Sequence, residues 1–194
     1  MSGLRRGFKT WCENAAKGYR RDLGIPPTAA LDPRRLAEYL KIVVWTPAQV
    51  PGLSHEDLRQ LTVMAPDEWS AATLREGEHC LVILNDAHDV SRQNNTLAHE
   101  IGHIVLKHEP AKMFVTFDGL MMMSDYNEEN EQEAICFAGA ILVPREALVN
   151  LISSGATNSD AANYFNVSDA LIRMRRNTTG IDIQAARRRG VWIP

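Results

Sequence analysis

Residues 96–108 read TLAHEIGHIVLKH, and they place His99, Glu100 and His103 in an HExxH pattern inside a run with helical periodicity. Residues four apart on a helix lie one above the other on the same face, so His99 and His103 can aim two imidazole nitrogens at one point. That is two-thirds of a catalytic zinc site, which takes three protein ligands and keeps a fourth position open for water. Glu100, next to the first histidine, is placed to take a proton from that water as general base. Leu97, Ile101, Ile104 and Val105 form an apolar stripe, and Gly102 leaves room for a neighbour to pack closely. HExxH is short, and the reading depends on a third ligand.

Two nearby candidates fail on spacing. Glu109 is six residues past His103, but Leu106 stands where a chain reversal would need glycine; the helix is expected to continue and carry Glu109 away. His108 meets the same difficulty and reads as a helix C-terminal histidine favoured by the macrodipole. The next helical run, residues 128–142, starts acidic, as helix N-termini favour, and stops at Pro144. Within it Glu131 shares a stripe with Ala134, Ile135 and Ala138. A carboxylate on a core-facing stripe is costly unless paired or bound to metal. Glu131 is therefore the expected third ligand, with Glu133 as fallback and Glu128 behind it.

The two blocks, TLAHEIGHIVLKH and EQEAICFAGAILVP (residues 131–144), resemble the ImmA/IrrE metallopeptidases, the M78 group. The family's second block has the form E-x-x-A-(N/D)-x-F-A-x-x-(L/I)-L-x-P, and the resemblance takes in NDAHDVSR at residues 85–92 and spans about residues 42–144. It implies zinc ligands His99, His103 and Glu131, with Glu100 as catalytic base. It also implies a narrow protein substrate, a helix-turn-helix repressor or antitoxin-like protein cleaved on a stress signal in bacterial or mobile-element gene control. Ile135 departs from the pattern: the family has Asn or Asp there, which suggests a partner that orients a ligand, and losing such partners weakens metal binding.

The chain has 194 residues, 45% hydrophobic and 23% charged, an ordinary globular composition. Its net charge of -3 is uneven, since residues 145–194 hold seven arginines against four acids. Cys12, Cys80 and Cys136 are odd in number and without a CxxC pair, which argues against a disulfide framework and for a reducing cytosol. No apolar run is long enough to span a bilayer, and no membrane association is expected. The expected localisation is cytoplasmic.

Taken in order, residues 7–23 read as an amphipathic helix and 33–40 as a short one with Asp32 as N-cap. Residues 42–45 read as a strand and 51–61 as a turn and a helix capped by Ser54. Residues 69–75 and 79–85 form a hairpin around Glu76-Gly77, the second strand buried and the first at an edge that can receive an extended peptide. Ser91 is the expected N-cap of the active-site helix. His88 and Arg92, in the lead-in, are candidates for orienting substrate or stabilising an oxyanion, against a plainer role as loop anchors. Tyr126 is a further candidate donor. Between the metal-bearing helices, residues 113–117 suggest an extended piece, and Met121 to Met123 a packed loop.

After Pro144, residues 146–152, 159–165 and 169–176 read as helices, the last two with helix-turn-helix spacing and Ser168 as a cap. A DNA-binding reading sets Arg173, Arg175 and Arg176 against nucleic acid. A helical hairpin packed on the peptidase, with the arginines as a solvated face, is the favoured alternative.

The expected architecture is α+β: a zincin-like domain over residues 1–144, with a small antiparallel sheet and the HExxH helix, then a helical extension over 145–194. The expected function is a zinc-dependent endopeptidase. Its rival is a regulatory DNA- or protein-binding module with a structural or vestigial zinc site. Substrate identity and oligomeric state stay open.

Overall fold

In the computed structural model, which describes residues 4–109, 113–115, 121–123 and 127–181, the sheet comes from three short strands: β1 (Ile42–Trp45), β2 (Ala71–Glu76) and β3 (His79–Leu84). Their order is β1-β3-β2. β2 and β3 form the expected hairpin, with Glu76 opposite His79, and β2 is one edge of the sheet, β1 the other. The sheet is mixed rather than antiparallel, because β1 runs parallel to β3, with Ile42 opposite Cys80. A parallel neighbour needs a long connection: residues 46–70 stay at the end of the sheet where β1 stops, and β2 itself carries the chain back to the start of β3. Residues 46–70 include α3 (His55–Arg59), capped by Ser54, which widens into a π-type turn over Gln60–Met64.

β3 is central but buried on one face only. Cys80, Val82 and Leu84 point inward, while Leu81 and Ile83 are half-buried on the other side. An unbroken apolar run therefore marked the middle strand, not one covered on both faces.

Against the inner face lie α2 (Pro33–Tyr39, capped by Asp32) and α4 (Val90–Val105), and α1 (Phe8–Asp22) joins the same core. Phe8, Cys12, Ala16, Leu36, Val82 and Leu97 share one core with Ile101, Phe137 and Ile141. The last two belong to α5 (Glu128–Leu142). A second core joins Ala98, Ala138 and Leu142 to Leu148, Phe165 and Ile172. These come from α6 (Arg145–Ser153), α7 (Asn158–Phe165) and α8 (Asp169–Thr179), so residues on both sides of Pro144 share this apolar core. Backbone strands β4 (Met113–Val115) and β5 (Met121–Met123) pair antiparallel, making the methionine run a strand rather than a loop.

Buried arginines tie the layers together. Arg20 of α1, 1% exposed, donates to the Ile141 carbonyl at 2.8 Å. Arg175 of α8, 3% exposed, donates to the Val143 carbonyl at 2.9 Å and pairs with Glu13. Arg175 is thus an internal staple and not part of a solvated or nucleic-acid-facing surface. Arg173 pairs with Asp169 and Arg176 with Asn158. Cys12 and Cys136, remote in sequence, meet across α1 and α5; a thiol–thiol hydrogen bond raises the Cys12 pKa and lowers that of Cys136. Among the described residues, no single helix is long and apolar enough to cross a membrane.

α4 and α5 pack closely at Gly102. A Cβ there would lie 3.2 Å from both the Cα and the carbonyl oxygen of Ala134 and 3.3 Å from the Phe137 ring. Backbone atoms cannot yield as a flexible side chain would. Gly102→Ala is expected to destabilise the fold by about 1–3 kcal/mol in urea unfolding, as overpacking does. This holds although alanine is favoured over glycine within helices by roughly 1 kcal/mol. A variant as stable as the parent would show that the helices have slack here.

Candidate metal centre

α4 begins where Asp89 accepts a hydrogen bond from the Arg92 backbone N–H at 2.9 Å. Asp89, not Ser91, is the cap; Ser91 lies in the first turn and donates its hydroxyl to Asp89 at 2.6 Å. These bonds, the Ser91 one foremost, hold the Asp89 carboxyl below the usual carboxylate range. Two turns on, the apolar residues Leu97, Ala98 and Ile101 face the cores, which turns His99, Glu100 and His103 toward the half-buried side.

α5 starts under an Asn127 cap, whose side chain accepts from the Glu129 and Asn130 N–H groups at 3.0 and 3.2 Å. Because Gly102 lets the helices close up, the first turn of α5 meets the middle of α4. Glu131 Oε2 lies 3.1 Å from His99 Nε2, and Glu131 Oε1 lies 3.2 Å from His103 Nε2. The two Nε2 atoms are 3.0 Å apart, with ring planes at 71°. His99, His103 and Glu131 form a group in which one ligand atom from each lies within 4.8 Å of the others.

This donor set suits a divalent ion. Tetrahedral zinc bonds of about 2.0–2.1 Å put neighbouring ligand atoms roughly 3.3 Å apart, close to the spacings here. Burial, and then the proximity of His99, pushes the His103 pKa down, which keeps the imidazole neutral and its lone pair free for a metal. Two nitrogens and one carboxylate oxygen fit zinc, though other divalent ions accept the same set.

Glu100 is fixed from the sheet. Thr73, on edge strand β2, donates its hydroxyl to Glu100 Oε2 at 2.6 Å. The sequence offered no sign of this contact, because Thr73 is an ordinary strand residue 27 positions away.

The other acidic candidates sit elsewhere. Glu133 binds Arg5 through two hydrogen bonds of 2.7 and 3.2 Å and meets His108 at 3.3 Å. Glu128 accepts from Gln132 on the surface. His108 lies just past the C-terminus of α4, as expected, but it is buried, 9% exposed, and its Nδ1 faces His103 Nδ1 at 3.1 Å. The helix does not continue through Leu106 as expected. It ends there because Lys107 takes a left-handed conformation, φ 57°, and the chain turns back. Ile135 is 45% exposed.

His88 and Arg92 both bind the segment 66–70. His88 Nε2 donates to the Pro66 carbonyl at 2.9 Å, and Arg92 donates to Asp67 at 2.8 Å and to Ser70 at 3.4 Å. Their contacts are those of loop anchors. Tyr126 lies outside the described residues.

The family model for peptidase M78, described as an IrrE N-terminal-like domain, matches residues 37–177. That is 141 of the 194 residues, and it reaches past the two motif blocks through most of α8. No curated protein matches the chain. The chain belongs to the M78 peptidase family.

Proposed function

We propose, from that membership, that the chain is a zinc-dependent endopeptidase acting on a specific regulatory protein, a helix-turn-helix repressor or antitoxin-like substrate, in the cytoplasm. The observation that carries the reading is the convergence of His99, His103 and Glu131 beside a glutamate held by its own hydrogen bond. A zinc ion held by those three residues supplies a Lewis acid and acidifies water toward neutrality.

Glu100 then accepts the proton of the attacking water and returns it to the leaving amine. The Thr73 hydroxyl occupies one lone pair of Oε2 and fixes the carboxylate's orientation. Thr73 belongs to the edge strand, which suits an extended substrate added to β2 with its scissile bond near Glu100. A purely structural zinc site has no use for such a base, which argues against the rival binding module.

Thr73→Val keeps the strand and removes the hydroxyl. It is expected to lower kcat about tenfold with KM little changed, the low end for losing a hydrogen bond to a charged group. An unchanged kcat in a cleavage assay would remove Thr73 from the site.

The reading as a whole is tested by mapping new protein N-termini in cells that express the wild-type chain or Glu100→Gln. A new N-terminus within a DNA-binding regulator, present only with the wild type, is the expected result. No difference between the two, together with salt-dependent retention of DNA by the purified chain, would reverse the assignment.

A further inference from the structure

His103 has two ring nitrogens, and only Nε2 faces Glu131 and His99. Its Nδ1 points away, to His108 Nδ1 at 3.1 Å. His108 Nε2 in turn meets Glu133 Oε2 at 3.3 Å, and Arg5 holds Glu133 from outside at 2.7 Å. The row runs inward from the surface. The Arg5 side chain is 71% exposed, Glu133 13% and His108 6%.

We propose that His108 is a positioning residue for the metal centre, fixing the tautomer and ring orientation of His103 through a relay that ends on Glu133 and Arg5. This rests on the metallopeptidase reading above and identifies what orients a ligand in a chain that has Ile135 where the family has Asn or Asp. Hydrogen bonding admits a single consistent proton arrangement. A His103 that keeps its Nε2 lone pair for a metal carries its proton on Nδ1. That N–H needs an acceptor, which His108 Nδ1 provides if the His108 proton sits on Nε2. The His108 Nε2–H then donates to the Glu133 carboxylate, which also accepts from Arg5 Nε and Nη2. Each donor thus has an acceptor, and the charge at the end of the row raises the electron density of the His103 lone pair.

The backbone is arranged for the same contact. Lys107 N–H donates to the Ile104 carbonyl at 3.1 Å, and His108 N–H reaches back to the His103 carbonyl at 3.0 Å. This is a Schellman turn, whose left-handed position usually holds glycine; here it holds Lys107. The turn fixes His108 to His103 by main chain as well as by side chain. Arg5 adds little as an exposed ion pair; its role is to hold the Glu133 carboxylate toward His108.

The test is zinc affinity of the full chain, measured by competition with a chromophoric chelator, and the visible spectrum of the cobalt-loaded protein. His108→Leu is expected to weaken zinc binding by roughly 10–100-fold, the usual loss for an outer partner, and to shift the cobalt band. His108→Gln keeps an acceptor and a donor and is expected to recover at least half of that loss on a logarithmic scale. Glu133→Gln, which keeps an acceptor for His108 but removes the negative charge, is expected to weaken binding less than His108→Leu. Equal affinity in wild type and His108→Leu would overturn the relay and leave the peptidase reading standing. A glutamine variant as weak as the leucine variant would reduce His108 to packing. Absence of zinc binding by the wild type would overturn the metallopeptidase reading itself. Should His108→Leu not fold, the comparison of Glu133→Gln and His108→Gln with wild type decides by the same affinities.

Discussion

Glu100→Gln should abolish peptide cleavage while leaving metal content unchanged. Glutamine is nearly isosteric with glutamate, and its oxygen can still accept the Thr73 hydroxyl that lies 2.6 Å from Glu100 Oε2. It cannot take a proton. General-base assistance is worth on the order of 10²–10⁴ in rate, equivalent to about 2.7–5.5 kcal/mol of barrier. The loss should appear in kcat, because the group acts in the transition state and does not bind substrate uniformly. Elemental analysis of the same preparation must show wild-type metal, since Glu100 is not one of the three converging residues. If cleavage by Glu100→Gln equals that of wild type, the carboxylate is not the base and the proposed chemistry fails. If metal is lost as well, Glu100 is part of the holding group and the result says nothing about proton transfer.

What could be read from the residues alone followed the range of the interactions. His99 and His103 are four apart on one helix, so local periodicity sufficed to bring them together. Glu131 was legible because a carboxylate on an apolar stripe demands a partner, although the helix that carries it lies 23 residues beyond α4. Strand pairing was legible for the β2–β3 hairpin, where a turn fixes it, and not for β1, whose parallel partner is reached only after residues 46–70 and the whole of β2. Thr73 gave no signal, since a tertiary hydrogen bond leaves no trace in the spacing of either partner.

The contact of His108 with His103 was hidden for a more specific reason. Without glycine after Leu106 the helix appeared to run on, and a helix that ran on would have carried His108 away from His103. Lys107 turned the chain nevertheless, adopting a conformation that costs a side-chain-bearing residue roughly 1–2 kcal/mol. Such a cost is borne where surrounding contacts over-determine the backbone. Here those contacts include the two ends of the His108 residue, main chain and imidazole, both on His103.

Removing Glu131 and removing Glu133 should have different consequences, although both glutamates lie on α5 two positions apart. Glu131 reaches both histidines, at 3.1 and 3.2 Å. Glu131→Ala leaves two imidazoles where a catalytic zinc needs three protein ligands. Zinc affinity should fall by more than about a hundredfold, beyond what an outer partner costs, and purified protein should retain only traces. Glu133→Ala instead leaves the three converging groups intact and removes the acceptor behind His108. It should retain zinc after purification with a weaker measured affinity, within roughly 10–100-fold of wild type. Metal content by elemental analysis and affinity by chelator competition separate the two. Should Glu133→Ala lose zinc while Glu131→Ala keeps it, the ligand assignment inverts, and the geometry around Glu131 would describe an ion pair with its histidines rather than a metal site. A stoichiometric zinc lost only with Glu131 would place the third ligand on α5 and make close packing at Gly102 a condition of activity, since the same contact brings the first turn of α5 to the histidines.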